Sequence, residues 1–299
     1  MPIEIAAHAG FCMGVRRAVE SAVQVADSGV PSCTLGELIH NPTVVDMLRQ
    51  RGIPPVASAE EAAGRQVLIR SHGVAPEVIR QLEKAGCKVV DLTCPFVNKL
   101  HRVVAEDTSE DCPLIMVGER EHPEVKGTCG WARGKVYVVA TAEEAAQLPE
   151  MDQAAAAVQT TFPPERWETI VAVLRGRVQH LKEHNTICNA TAVRQREAKK
   201  LAAASDAMIV VGGRTSANTH KLFEACKALC PRTILVECAA EIPPAFANIH
   251  SDKIGITAGA STPDGSLEEV ATHMTDNENM AQSSDFTMDA IVATMMRIK

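Results

Sequence analysis

The chain has 299 residues, 46% of them apolar, a formal charge of −7 and few aromatic side chains (six Phe, two Trp, one Tyr). A chain this long outgrows a single core, so two or three compact units are expected, built mainly from Ala, Val, Leu and Ile. The negative balance, with no Lys/Arg stripe, argues against nucleic acid or an anionic membrane as partner, and no apolar run approaches the ~18 residues of a spanning helix.

The amino terminus, M-P-I-E-I-A-A-H, lacks a basic segment followed by an apolar one, so no signal or transit peptide is expected. Ten thinly spread cysteines fit a reducing cytoplasm better than a disulfide framework. The first amphipathic stretch, Val15 to Ala26, follows A-G-F-C-M-G-V, and L-I-H-N-P-T-V-V (Leu38 to Val45) reads as a turn at Asn41-Pro42 before a helix. Strands are expected at Val67 to Arg70 and Cys87 to Leu92 around a helix at Pro76 to Ala85, with another helix, Phe96 to Glu106, after D-L-T-C-P-F-V-N. Strands at Leu114 to Val117, Lys135 to Ala140 and Ala156 to Thr160 come next, then helices at Arg166 to Leu181 and, after T-I-C-N-A-T, at Thr191 to Ala204. The remainder reads as strand Met208 to Val211, helix Thr219 to Leu229, strands Thr233 to Val236 and Lys253 to Thr257, and helix Ser266 to Met274. Strand and helix in alternation predict an α/β protein with parallel sheets and right-handed crossovers.

Cys12, Cys94 and Cys188 each stand where an apolar run or short loop gives way to a helix, spaced by close to one small α/β unit each time. Three similar lobes therefore each offer one thiolate to a common centre, and three thiolates on a four-iron cluster leave one iron open to a substrate. Without a Gly-, Ser- or Pro-rich linker, the limits follow the cysteines: lobes at 13–93, 94–187 and 188–275, a leading segment 1–12 and a Met-rich tail 276–299 of no assigned role. Cys33, Cys87, Cys112, Cys129, Cys226, Cys230 and Cys238 read as small buried hydrophobes.

In open parallel sheets ligands sit beyond the carboxyl ends of the strands. Several polar residues of this chain fall there: His72 after V-L-I-R-S, Glu119, His122 and Glu124 after L-I-M-V-G, Thr160 and Thr161 after A-A-A-V-Q, Ser216 and Asn218 after M-I-V-V-G-G-R-T, and Ser261 after I-G-I-T-A-G-A. Each also has a purely structural reading. S-H-G-V is an ordinary turn with Gly73 at positive φ, H-P-E-V a helix start with Pro at its first position, and G-G-R-T-S-A-N-T a Gly-rich turn. Together, however, His40, His72 and His122 with Ser216, Asn218 and Ser261 suit a compact anion such as a diphosphate. A carboxyl beside anionic oxygens is pushed toward its protonated form, which equips Glu124 as a general acid. His8, His101, His180, His184, His220, His250 and His273 read as structural or surface residues.

The blocks A-G-F-C-M-G-V-R-R-A, L-G-E-L-I-H-N-P-T-V-V, I-R-S-H-G-V, D-L-T-C-P-F-V-N-K-L-H, H-P-E-V-K-G-T, V-Q-T-T, I-C-N-A-T-A-V-R-Q and I-T-A-G-A-S-T-P-D occur in this order from about Ala9 to Asp264. This pattern resembles the 4-hydroxy-3-methylbut-2-enyl diphosphate reductases, which close the methylerythritol phosphate route to isoprenoids. The resemblance implies three α/β lobes in pseudo-threefold arrangement around a central, oxygen-sensitive 4Fe-4S cluster on Cys12, Cys94 and Cys188. It further implies diphosphate binding by His40, His72, His122, Ser216, Asn218 and Ser261, proton donation by Glu124 and a supporting hydroxyl at Thr160. The substrate alcohol would meet the open iron, two electrons would arrive from reduced ferredoxin or flavodoxin, and isopentenyl and dimethylallyl diphosphates would leave. Ala217 departs from the pattern, standing where many relatives carry a second Ser.

Two other readings remain open from the residues. A quinolinate-synthase-like dehydratase would use a three-cysteine cluster as a Lewis acid without net electron transfer. A zinc or redox-sensing module with Cys3His ligation is the other, against which the absence of paired C-x-x-C spacing counts.

Overall fold

The computed structural model describes residues 3–247 and 253–275; the tail 276–299 and His250 lie outside the described residues. In chain order the elements are β1 (Ile3–Ile5), α1 (Met13–Asp27), β2 (Ser32–Leu35), α2 (Pro42–Gln50), β3 (Pro55–Val56), α3 (Ala59–Ala62), β4 (Gln66–Ile69), α4 (Pro76–Lys84) and β5 (Lys88–Asp91). There follow α5 (Pro95–Asp107), β6 (Leu114–Val117), α6 (Pro123–Cys129), β7 (Val136–Val139), α7 (Ala142–Ala146), β8 (Met151–Val158), α8 (Pro164–Leu174) and β9 (Val178–His184). The last are α9 (Asn189–Ala203), β10 (Ala207–Val211), α10 (Ala217–Lys227), β11 (Thr233–Val236), α11 (Pro244–Ala247), β12 (Ile254–Ala258) and α12 (Asp264–Thr275).

The strands form three four-stranded sheets, ordered β3-β2-β4-β5, β7-β6-β8-β9 and β1-β12-β10-β11, and every paired strand runs parallel. Counted from β2, β6 and β10, the order is the same each time: second, first, third, fourth. In the last sheet the fourth place is taken by β1, from the leading segment of the chain, with Ile3 opposite Ile254 and Ile5 opposite Ile256.

The chain divides into two compact units: the described residues of 1–16, 39–47 and 193–299, and residues 17–38 with 48–192. The first unit holds the sheet of β1, β12, β10 and β11. Ile209, Val211 and Ile256 of neighbouring strands cluster with Val270 and Met274 of α12, while the alternating Met208 and Val210 cluster with Ala198, Leu201, Leu222 and Cys226. Burial on both faces is the signature of a parallel sheet between helices. In the second unit Ile115, Val117, Ala156 and Val158 pack on Trp167, Ile170 and Leu174 of α8. The opposite face, with Leu114, Met116 and Ala157, packs on Leu100 and Val104 of α5 and Val125 of α6. Cys33, Val67 and Ile69 of the remaining sheet close over Val74 and Leu82. Each large aliphatic side chain so buried contributes about 1.5–3 kcal/mol.

One expected element is corrected. Where the sequence predicts a single helix from Arg166 to Leu181, α8 ends at Leu174 and β9 begins at Val178. Within β9 the inward positions are Val178, Leu181 and His184, with the residues between them exposed, a spacing that imitates a helix face. Pairing with β8, His180 opposite Gln153 and His184 opposite Ala157, fixes the strand. No helix among the described residues is long and apolar enough to cross a membrane.

Candidate functional site

The three cysteines share one local construction. The carbonyl of each accepts the amide four residues on, from Arg16 to Cys12 (2.9 Å), Asn98 to Cys94 (2.9 Å) and Ala192 to Cys188 (3.2 Å), so each begins the helix that follows. The amide of each is tied to the second residue past a third-place strand: Cys12 to the Ala260 carbonyl (3.1 Å), Cys94 to Ser71 (3.0 Å) and Cys188 to Thr160 (2.9 Å). All three are partly exposed, whereas Cys33, Cys87, Cys112, Cys226 and Cys230 are buried; Cys129 and Cys238, which the sequence reads as buried, are partly exposed as well. Burial pushes the Cys33 and Cys112 thiols up and takes Cys226 to about 12. Cysteine thiolates are the usual protein ligands of iron–sulfur clusters, and Cys12, Cys94 and Cys188, alike in their placement, are the candidates.

In the second unit Glu124 is 1% exposed. Its Oε1 accepts the Thr160 amide at 2.6 Å and its Oε2 lies 2.7 Å from Thr160 Oγ1. Since the Thr160 carbonyl holds the Cys188 amide, one residue links the carboxyl to the base of α9. His122 caps α6, its Nδ1 accepting the Glu124 amide at 3.1 Å. That bond places the proton of a neutral imidazole on Nε2. The rings of His72 and His122 meet edge to face, with centroids 5.6 Å apart.

The turn that carries His72 is braced by residues the sequence reading left as structural or did not single out. Gly73 has φ +70, and a Cβ there would lie 2.5 Å from His101 Cε1. His101, 3% exposed, stacks on Trp131 (centroids 5.1 Å, 20°), whose Nε1 donates to the Val74 carbonyl at 3.0 Å. Burial drives the His101 imidazole down to about 4, against a weaker opposing pull from Asp91. Gln159, fully buried beside Thr160, accepts the Glu119 amide and donates to Thr161 Oγ1, both at 3.0 Å. A polar residue closing the apolar run A-A-A-V is its only sequence signal.

In the first unit Ser216 caps α10, accepting the Thr219 amide at 3.3 Å. The Ser261 hydroxyl lies 3.4 Å from Ser216 Oγ and 3.3 Å from the His40 carbonyl. Gly213 backs onto the same carbonyl, where a Cβ would come to 2.7 Å. Asn218 is buried, yet its Nδ2 has no partner among the described residues. A buried amide donor held in reserve beside two hydroxyls and a glycine-lined backbone suits an oxygen-rich ligand.

Strand exits also repeat across the sheets. A glycine follows each first-place strand directly (Gly36, Gly118, Gly212), and His40, His122 and Ser216 each stand four residues further on. Gly212 has φ +147, and a Cβ there would press on Thr262 Oγ1 at 2.6 Å.

A fold of three matching parallel sheets, with helix-capping cysteines and a polar strand-exit set, defines a member of the LytB protein family. That family matches residues 3–275, and the chain belongs to it; it is a family of iron–sulfur enzymes. The chain is 44% identical over 271 residues to the 4-hydroxy-3-methylbut-2-enyl diphosphate reductase of Geobacter sp. (strain M21), covering 90% of this chain and 95% of the relative. It is 42% identical over 277 residues to the enzyme of the same name from Aquifex aeolicus (strain VF5), with 91% and 95% covered. A solved (E)-4-hydroxy-3-methyl-but-2-enyl diphosphate reductase, the terminal enzyme of the non-mevalonate pathway, is 41% identical and covers 92% of this chain and all of its own, at a TM-score of 0.70. The E-1-hydroxy-2-methyl-but-2-enyl-4-diphosphate reductase of Plasmodium falciparum, at 23% identity, shares the fold over 98% of both chains with a TM-score of 0.86.

Proposed function

We propose that the chain is a 4-hydroxy-3-methylbut-2-enyl diphosphate reductase of isoprenoid biosynthesis. With two electrons and two protons it converts that substrate to isopentenyl or dimethylallyl diphosphate and water. Cys12, Cys94 and Cys188 hold a 4Fe-4S cluster, which when bound supplies the electron pair for breaking the carbon–oxygen bond. Reduced ferredoxin or flavodoxin is the electron source, in a cytoplasmic setting that keeps the thiols reduced.

His40, His72, His122, Ser216, Asn218 and Ser261 bind the diphosphate through side-chain donors, and the backbone around Gly213 adds to them. His122 gives its Nε2 hydrogen, because its Nδ1 is occupied by the Glu124 amide. Ser216 accepts a backbone amide through its oxygen and so keeps its own hydrogen for the ligand. Glu124 delivers the proton that lets the hydroxyl depart as water, with Thr160 Oγ1 as the group through which it reaches the alcohol. The second proton goes to either end of the allyl unit, which accounts for two products.

The observation that carries this reading is the double contact between Glu124 and Thr160, a buried carboxyl held by an amide and a hydroxyl. The test is anaerobic turnover of the diphosphate by the purified holoenzyme with and without dithionite and a mediator. Product that forms only with the reductant is expected. Turnover without any reductant would support the dehydratase reading instead.

A further inference from the structure

Two arginines in the blocks R-R-A and A-V-R-Q have no part in the chemistry above. Arg194, on α9, is 4% exposed and donates from its NH2 group to the Gly10 carbonyl at 2.8 Å, two residues ahead of Cys12. Arg17, on α1, donates likewise to the Thr93 carbonyl at 2.7 Å, one residue ahead of Cys94. The helix that follows Cys188 therefore grips the loop before Cys12, and the helix that follows Cys12 grips the loop before Cys94.

The grip on the Cys12 loop is close. Gly10 adopts φ +90, and a Cβ there would stand 2.7 Å from Asp264 Oδ1, while Asp264 Oδ2 pairs with Arg16 at 2.7 Å. One turn along α9 from Arg194, Glu197 accepts the His8 amide at 3.0 Å. Residues 8 to 12 are thus fixed at His8, Gly10 and Cys12, and Arg194 brings a buried guanidinium to them. Two residues of chain span at most about 7 Å, so a thiolate at Cys12 lies within the range over which a guanidinium acts in a poorly solvated setting.

We infer that Arg194, and Arg17 more weakly because it is more exposed, are positioning residues for the cluster, each tethering the backbone just upstream of a ligand cysteine and offsetting the negative charge of the thiolates. The inference rests on the cluster reading given above. A positive group near an iron–sulfur centre favours its reduced form, and a tethered ligand loop slows its loss.

The test uses anaerobically prepared holoenzyme of the wild type and of Arg194→Met, Arg194→Lys, Arg17→Met and Cys12→Ser. Iron and sulfide per chain, the midpoint potential by paramagnetic resonance titration, the rate of cluster loss in air and thermal unfolding of the protein are compared. Arg194→Met is expected to move the potential in the negative direction and to speed cluster loss about tenfold. Arg194→Lys should keep the potential and lose the cluster faster, and Arg17→Met should shift both readouts in the same direction as Arg194→Met but less. If Arg194→Met does not fold, Arg194→Lys and Arg17→Met decide. Wild-type potential and air stability in all arginine variants that fold overturn the inference. Full iron content in Cys12→Ser overturns the cluster reading itself, whatever the arginine variants do.

Discussion

Glu124 and Thr160 touch at two points, amide to Oε1 at 2.6 Å and hydroxyl to Oε2 at 2.7 Å. The amide contact fixes the carboxyl plane without using the side chain of Thr160, which leaves the hydroxyl contact as the one along which a proton can travel. Glu124→Gln keeps the shape and removes the acid. Turnover should fall by about 10²–10⁴, with substrate affinity, measured by calorimetry, within about threefold of wild type. Thr160→Val, which retains the amide contact, should lose less. Equal rates in wild type and Glu124→Gln would assign the proton to another group.

Asn218 Nδ2 is a buried donor with no partner among the described residues. If it waits for a diphosphate oxygen, Asn218→Ala costs one hydrogen bond to a charged acceptor, about 1.5–3 kcal/mol, or tenfold and more in affinity. Calorimetric binding of inorganic pyrophosphate and of the substrate should both weaken, with iron content unchanged. Unaltered binding would remove Asn218 from the diphosphate site.

His101 makes stability depend on acid. Its imidazole sits at about 4 in the folded chain because burial disfavours the charged form, and near 6.5 when unfolded. Between those values the unfolded chain binds more protons, so this contribution is complete above pH 6.5 and is lost as pH falls toward 4. From pH 7 to pH 5 the loss is about 2 kcal/mol. Urea unfolding of His101→Phe should show that much less change over the same interval than wild type; parallel pH profiles would show that His101 is not the group responsible.

Gly73 is held at φ +70 against the His101 ring. Gly73→Ala meets both an unfavourable backbone region and a side-chain clash, at a cost of about 1–3 kcal/mol. Because His72 is the preceding residue, KM should rise as well, while Gly29→Ala, also at positive φ but with open space around it, should lower stability and leave KM alone.

Cys12, Cys94, Cys188 and Glu124 could be singled out as candidates in the sequence because their signals are local: a thiol ahead of an amphipathic run, a carboxyl after H-P. The alternation of strand and helix was equally plain. What could not be read depends on pairing between distant segments. β9 shows helix-like spacing and is a strand only because β8 lies beside it. β1 is three residues long and gains its identity from β12, far along the chain. The role of His101 arises from Gly73 and Trp131, neither of which is near it in sequence. Three similar lobes were expected from the cysteine spacing, but their shared strand order was not, since the glycines after β2, β6 and β10 become equivalent only once that order is known.

The decisive measurement is iron and sulfide content with a paramagnetic resonance spectrum, taken anaerobically with and without the diphosphate, on the wild type and on Cys12→Ser, Cys94→Ser and Cys188→Ser. A 4Fe-4S stoichiometry and a spectrum that changes on adding substrate are expected for the wild type, with both lost in each variant. Retention of the full metal content by any one of the three variants would contradict the assignment of all three thiols to a single centre.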